Sequence, residues 1–174
     1  DADAQEPKRG GTAIIQMKGE QRILNPALRA STGVYYITGK IVEPLIDKSY
    51  DGYEPVLATE WSSSEDGLEI TFKLREGVTF HDGTPFNAEA VVVNFQRIID
   101  KNDPLHDPAI QNRSLYEPIR SVAATGSHTV VFKLERPVAA FLGNLTIYTA
   151  SIVSPTALRK AKGLKAPGKA DKGS

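Results

Sequence analysis

Two segments in which apolar and polar side chains alternate limit the possible folds of this chain more than any other feature. They are residues 68–75 and 129–135, and each pattern is typical of a β-strand that buries one face. Between them, residues 88–100 place apolar side chains at helical spacing, with Asn87 as a candidate N-cap. This combination predicts one sheet with two or three helices over about 40–160, a mixed α+β arrangement.

The rest of the pattern predicts shorter elements between and around these three. Apolar periodicity and the positions of Gly, Pro and Asp-Gly pairs suggest where they begin and end. The expected elements are a buried strand at 12–17, a helix at about 34–46, strands near 55–61 and 78–80, a long loop at 101–118, a helix at 139–145 and an extended piece at 152–155.

Charge and composition exclude several classes of function. The 174 residues carry 21 Lys and Arg against 21 Asp and Glu, which argues against a nucleic-acid partner bound through bulk charge. Because the chain has no cysteine, disulfide scaffolds, cysteine-ligated zinc and thiol nucleophiles are excluded. No apolar run approaches the ~18 residues that a membrane-spanning helix needs. The start at Asp1, without methionine, is what remains after a signal peptide is removed or a chain is trimmed.

The residue types that carry catalysis form no recognisable site in the sequence. His81, His106 and His128 are far apart, and none belongs to the i, i+4 pair of a helical metal motif. The neighbours His81 and Asp82 would point to opposite sides of an extended chain, so they do not suggest a hydrolase dyad. Neither a GxSxG nucleophile elbow nor a phosphate-binding loop is present. The residues therefore predict no catalytic group, no metal site, no cofactor and no enzyme.

A run of short motifs between residues 41 and 95 resembles one protein family. The motifs are EPL at 43–45, Asp-Gly at 51–52, LAxxW at 57–61, Asp-Gly at 66–67, FxLRxGV at 72–78, FHDGTPF at 80–86 and NxEAV at 87–91. Their order resembles that of the family 5 solute-binding proteins of bacterial ABC importers, which include oligopeptide-, dipeptide- and nickel-binding proteins. The resemblance covers about residues 12–160.

This resemblance implies a periplasmic-binding-protein-like fold of type II, in which two lobes close around a solute and an extra domain is inserted in the first lobe. Family members are considerably longer, so the resemblance implies an N-terminal fragment with the second lobe absent. The implied division is a flexible lead-in at 1–11, the first segment of lobe one at 12–40, the inserted α+β domain at 41–158 and a basic, disordered tail at 159–174.

The resemblance also suggests where a solute would touch this chain. In peptide-binding relatives the loop a few residues after the turn at Asn25-Pro26 lines the cleft. The matching positions here are Ser31, Thr32, Gly33 and Tyr35, whose backbone amides, hydroxyls and ring could contact an extended peptide. A purely structural role is the alternative, because Ser31 or Thr32 would equally cap the helix that follows.

The function implied by the resemblance is transport, not catalysis. We expect a monomeric, periplasmic solute-binding protein that captures a peptide or similar small solute and delivers it to an inner-membrane ABC permease. The alternative is a ligand-dependent interaction or signalling module of the same fold. Neither hypothesis requires a cofactor or a nucleic acid.

Overall fold

The structure is a computed structural model, and it describes residues 10, 12, 14, 25, 27, 28 and 32–161. Six strands, four α-helices and two single 3₁₀ turns follow one another in the described residues. Their order is α1 (Thr32–Thr38), β1 (Ile46–Ser49), β2 (Gly52–Pro55), β3 (Ala58–Ser63), β4 (Glu69–Leu74), α2 (Ala88–Ile99), a 3₁₀ turn (Arg113–Leu115), β5 (Ile119–Gly126), β6 (Thr129–Leu134), α3 (Phe141–Leu145), a 3₁₀ turn (Tyr148–Ala150) and α4 (Pro155–Ala161).

The two alternating segments form the centre of a four-stranded antiparallel sheet of order β3-β4-β6-β5. Ile70 lies opposite Phe132 and Phe72 opposite Val130, and all four side chains are buried. Polar neighbours on β4 and β6 face the other side, where Lys133 Nζ lies 2.6 Å from a carboxylate oxygen of Glu69. The predicted strands are confirmed because their period of two matches the single buried face.

Helix α2 covers this face of the sheet and completes the core. The ring of Phe95 on this helix packs edge-on against the ring of Phe132, with centroids 4.9 Å apart. Val91 and Ile98 of the same helix are also buried. The helix begins where the sequence predicted, because the Asn87 side chain accepts a hydrogen bond from the Ala90 N–H at 3.0 Å. The predicted mixed α+β class is therefore confirmed.

The predicted helix at 34–46 is wrong in length. Helix α1 ends at Thr38, whose carbonyl oxygen accepts hydrogen bonds from the N–H groups of both Ile41 and Val42, at 2.9 and 2.8 Å. The chain then runs extended, since Pro44 lacks the N–H that a continuing helix would use. Leu45 is buried in the core from this extended segment rather than from a helix.

Two strand predictions also need correction. Residues 78–80 form only a single antiparallel bridge between Thr79 and Pro85, not a strand. Strand β5 was not predicted, because a register shift between Ile119 and Ser121 breaks the alternation that marks a strand in sequence. Its buried side chains are only Ile119 and Val122.

Helix α4 contradicts the start of the predicted disordered tail at 159–174, since the helix continues to Ala161. Pro155 stands at its first position, where the missing N–H costs nothing, and the Ser154 hydroxyl accepts from the Ala157 N–H at 3.2 Å. The remainder of the tail, most of the predicted lead-in at 1–11 and most of the predicted strand at 12–17 lie outside the described residues. Among the residues described, no helix combines the length and apolar character needed to cross a bilayer.

Candidate functional site

The turn that precedes the predicted solute-binding residues is held in place by two kinds of hydrogen bond. Within the turn, the Asn25 side chain accepts from the Ala27 N–H at 3.0 Å, and the Asn25 carbonyl accepts from the Leu28 N–H at 3.1 Å. Across the fold, the Ala27 carbonyl accepts from the Gln111 N–H at 2.8 Å. Ala27 is buried, so the turn is anchored on the long loop at 101–118.

The predicted solute-binding residues lie at the start of helix α1. Thr32 is its first residue, and Gly33 and Tyr35 follow within the same turn of helix. Gly33 is half-buried. Ser31 and the side chains of Thr32 and Tyr35 lie outside the described residues, so the predicted contacts with a solute remain a prediction. The structure thus brings three of the four positions onto one helical turn ahead of strand β1. We use the term sheet domain for the part of the chain from β1 to β6 with the helix α2 that packs on its sheet.

The chain enters and leaves the sheet domain at one place. The incoming segment (41–45) meets the outgoing segment (151–155) there, and the Ile152 N–H donates a hydrogen bond to the Glu43 carbonyl at 2.9 Å. Leu45 and Ile152 are both buried at this crossing. All the strands of the domain lie between these two segments in the sequence. We call this crossing the junction.

A buried asparagine on α2 fixes the outgoing segment to the domain. Asn94 donates from its side-chain nitrogen to the Val153 carbonyl at 2.7 Å and to the Ala90 carbonyl at 2.9 Å. Its side-chain oxygen accepts from the Val153 N–H at 3.2 Å. The side chain therefore substitutes for a partner strand, and both backbone groups of Val153 are satisfied.

A carboxylate in the FHDGTPF motif makes a second attachment to the same segment. Ser154 donates its hydroxyl to Asp82 at 2.5 Å, and Thr84 donates both its N–H, at 3.0 Å, and its hydroxyl, at 2.5 Å, to the other carboxylate oxygen. These bonds, that from Ser154 foremost, lower the pKa of Asp82 to about 2. The motif thus connects its own turn to the outgoing segment by hydrogen bonds. Asp82 and Ser154 are 72 positions apart, so sequence spacing alone did not reveal this contact.

A groove opens at the junction. Its volume is about 530 Å³, and its walls are residues 39–43, 78–82 and 152–154, with Leu57, Phe86 and Ala157. We call it the junction groove. Most of its lining is apolar, and Ile41 at its rim is 45% exposed.

The histidines do not assemble a reactive centre. His81 is exposed, His106 Nδ1 lies 2.8 Å from the Arg97 carbonyl, and His128 Nδ1 lies 3.1 Å from the Ser127 hydroxyl. In the part of the chain that the structure describes, no three His, Cys, Asp or Glu side chains are grouped to hold a metal ion.

Comparison with known proteins assigns the chain to a family. The family described as bacterial extracellular solute-binding proteins, family 5, middle part, matches residues 52–173. The chain belongs to this family. Family 5 proteins are transport receptors and not enzymes, in agreement with the absence of a catalytic motif from the sequence. The matched range contains the whole sheet, helix α2 and the outgoing segment.

Individual family 5 relatives are much longer than this chain. The glutathione-binding protein GsiB of Shigella flexneri is 40% identical over 105 residues, which are 60% of this chain and 20% of that protein. A probable di/tripeptide-binding protein of Pseudomonas aeruginosa is 40% identical over 112 residues, 58% of this chain and 21% of that protein. The chain therefore matches about a fifth of the length of these relatives.

Solved structures of bacterial binding proteins show the same fold over most of this chain. The periplasmic binding protein DppA of Helicobacter pylori, in complex with the peptide STSA, superposes with a TM-score of 0.69 and 32% identity, over 81% of this chain and 30% of that one. A dipeptide-binding protein of Pseudoalteromonas sp. SM9913, in complex with Met-Leu, gives a TM-score of 0.73 and 27% identity, over 81% of this chain and 31% of that one.

Proposed function

We propose that this chain is part of an extracytoplasmic solute-binding protein that captures a peptide or similar small solute and delivers it to an ABC permease in the inner membrane. The observation that carries the proposal is the family 5 match over residues 52–173. Relatives named for glutathione and for di- and tripeptides favour a short peptide over other solutes. The periplasm is the place of action that we propose, since the similar protein DppA of Helicobacter pylori is described as a periplasmic binding protein.

We further propose that residues 41–158 form a domain inserted into a larger lobe, of which 12–40 are the first segment. The junction supports this division. The chain must leave an inserted domain close to where it entered. The hydrogen bond from Ile152 to Glu43 joins the incoming and outgoing segments directly. Asn94 and Asp82 then hold the outgoing segment in one path.

For the solute contact we propose Ser31, Thr32, Gly33 and Tyr35. Their position in the fold favours this role. The Gln111 N–H anchors the turn that precedes α1, which limits where the start of α1 can lie. Backbone amides and hydroxyls at the start of a helix suit the main chain of an extended peptide, whose own N–H and C=O groups need partners when bound.

Calorimetry on the full-length polypeptide tests the transport function. Glutathione, Met-Leu and Ser-Thr-Ser-Ala are the first solutes to titrate, since relatives are named for or bound to them. We expect at least one to bind with a Kd of about 1 μM or tighter, equivalent to about 8 kcal/mol. If no peptide in a broad panel binds, the proposed function is wrong.

A matched pair of tyrosine variants tests the solute contact. Tyr35→Ala is expected to weaken the binding of that peptide about tenfold or more, because a truncated aromatic anchor commonly costs over 1 kcal/mol. Tyr50→Ala is the control, since Tyr50 is fully exposed at the tip of the β1–β2 hairpin. Equal affinities of the two variants and the parent would remove Tyr35 from the proposed site.

A further inference from the structure

Three Asp-Gly pairs occur in the sequence, at 51–52, 66–67 and 82–83. All three lie in turns, but the structure surrounds them differently. We propose that Asp51-Gly52 is the position at which this protein isomerises spontaneously to isoaspartate, and that hydrogen bonds protect the other two pairs. The modification needs neither an enzyme nor a cofactor, and it is independent of the proposed transport function.

The chemistry of the isomerisation takes place between an aspartic acid and the residue that follows it. The main-chain nitrogen of the glycine attacks the side-chain Cγ of the neutral acid. An N–Cγ bond forms, the Cγ–OH bond breaks, and the hydroxyl leaves with the proton of the N–H as one water. A water then opens the succinimide ring. Opening at Cγ restores aspartate, whereas opening at the main-chain carbonyl leaves a backbone that runs through Cγ, which is isoaspartate. Glycine favours the attack because it has no side chain to obstruct its nitrogen.

Hydrogen bonds hold the carboxylates of two of the three pairs. Asp66 accepts from the Ser64 hydroxyl at 2.6 Å and from the Leu68 N–H at 3.0 Å, and these bonds lower its pKa. Asp82 accepts from Ser154 and Thr84, which lower its pKa to about 2. A lower pKa reduces the fraction of the neutral acid that can be attacked. A bonded carboxylate is also held away from the glycine nitrogen.

The glycine nitrogens of the same two pairs are engaged as well. The Gly67 N–H donates to the Ser64 carbonyl at 3.0 Å, and the Gly83 N–H donates to the Phe80 carbonyl at 2.9 Å. A Cβ at Gly67 would also lie only 3.5 Å from the Cβ of Pro137. Attack on Cγ requires the nitrogen to lose its proton and move, so each of these turns must open before it can react.

The Asp51 carboxylate lacks such restraints in the part of the chain that the structure describes. It accepts no hydrogen bond there, and residues 47–52 are all exposed. Gly52 lies opposite Ser49 as the last pair of a sheet of only two strands, and the end of such a hairpin opens readily in water. A Cβ at Gly52 would meet no other described atom within 4 Å. The carboxyl and the nitrogen of this pair can therefore approach each other at little cost.

Peptide mapping of the aged full-length polypeptide tests the inference. The folded protein is kept at physiological temperature and neutral pH, and samples are digested at intervals. The peptides that contain the three pairs are followed separately by reversed-phase chromatography, and electron-transfer fragmentation distinguishes isoaspartate from aspartate. We expect isoaspartate at 51 to accumulate at least about tenfold faster than at 66 or 82, because the latter two react only when their turns open. Equal rates at the three positions, or no isoaspartate at 51, would overturn the inference.

Ageing the same polypeptide in urea is the control for intrinsic reactivity. Unfolding removes the hydrogen bonds of the turns but leaves the three Asp-Gly pairs unchanged, so their rates should converge. If position 51 stays equally far ahead of the other two in urea, the neighbouring sequence and not the fold sets its rate, and the inference is wrong.

Two substitutions test the roles of the individual groups. Asp51→Glu keeps the charge and should abolish the isomerisation at 51, because a glutamate would have to form a larger ring that closes far more slowly. Ser64→Ala removes the first hydrogen bond to Asp66 and should raise the rate at 66 severalfold without changing that at 51. Unchanged melting temperatures verify that both variants fold. An unchanged rate at 66 in the folded Ser64→Ala protein would contradict protection by hydrogen bonds.

Discussion

Three polar side chains connect parts of the domain that are far apart in sequence. Asn94 binds the backbone of Val153, Asp82 accepts from Ser154, and the Tyr116 hydroxyl lies 2.9 Å from the Thr149 hydroxyl. Each contact ends in the stretch 149–154, by which the chain leaves the domain. The path of that stretch is thus determined by hydrogen bonds, in addition to the apolar contacts of Ala150 and Ile152. Substitutions at these positions should act on the junction first.

The contribution of Asp82 to stability should depend on pH. Its pKa of about 2 in the folded protein lies below the ordinary value of 3.8, so the stabilisation is present above about pH 4 and is lost as the pH falls through 2. We expect Asp82→Asn to lower the melting temperature at pH 7 and to differ little from the parent at pH 2. Asp51→Asn, in the exposed β1–β2 turn, removes the same charge without these hydrogen bonds. A deficit of Asp82→Asn that is constant from pH 7 to 2 would contradict the assignment.

Tyr116 gives a spectroscopic signal of the same contacts. Burial raises its pKa to about 12, so the stability that the neutral phenol provides is present below about pH 10 and declines as the pH rises towards 12. Burial also raises the pKa of Tyr148, so ultraviolet titration should show late ionisation by more than one of the six tyrosines, and Tyr116→Phe should remove the component in this upper range. We expect Tyr116→Phe to cost about 1–2 kcal/mol in urea unfolding, since it leaves the buried Thr149 hydroxyl without its partner. An unchanged titration curve in the variant would show that another tyrosine carries the step.

At the scale of elements, the sequence was informative where a pattern is local and regular. Strands β4 and β6 and helix α2 were predicted nearly to the residue because each buries one uninterrupted face. Strand β5 was missed because its register shift changes the phase of the pattern, and α1 was extended too far because apolar spacing continues through Gly39 and Pro44. The contacts of Asp82 and Asn94 join residues 72 and 59 positions apart, and no short motif encodes such pairs. The proposed solute-binding positions rest on family resemblance alone.

Asn87 is the N-cap of α2, as the sequence predicts. Asn87→Ala should destabilise the domain by about 1 kcal/mol, because the Ala90 N–H loses its acceptor. Asn87→Asp and Asn87→Ser should retain most of the stability, since both side chains can cap a helix. Urea unfolding of the three variants measures the effect. If the alanine and serine variants are equally stable, the hydrogen bond to Ala90 contributes nothing measurable.

At the scale of the whole molecule, we assign different tasks to the start of α1 and to the sheet domain. The start of α1, which carries the proposed solute contacts, comes before the junction in the chain, and the sheet domain comes after it. The apolar groove is lined by residues of the incoming and outgoing segments together with residues 78–82. This arrangement suits a domain that is carried by a larger lobe and presents only one side of a binding cleft.

Solute affinity should therefore depend on chain beyond these 174 residues. A clamp protein gains affinity by closing two lobes over its solute, and this chain matches only 20–21% of the length of its peptide- and glutathione-binding relatives. We expect calorimetry to detect no binding of di- to pentapeptides to the 174-residue chain, with any Kd weaker than about 1 mM, although the full-length polypeptide binds the same peptides. Circular dichroism and the tyrosine titration first verify that the short chain is folded. Tight binding by the folded short chain would mean that one wall suffices for recognition. Closure would then be unnecessary for capture, and a ligand-dependent interaction module would explain the protein better than a transport clamp.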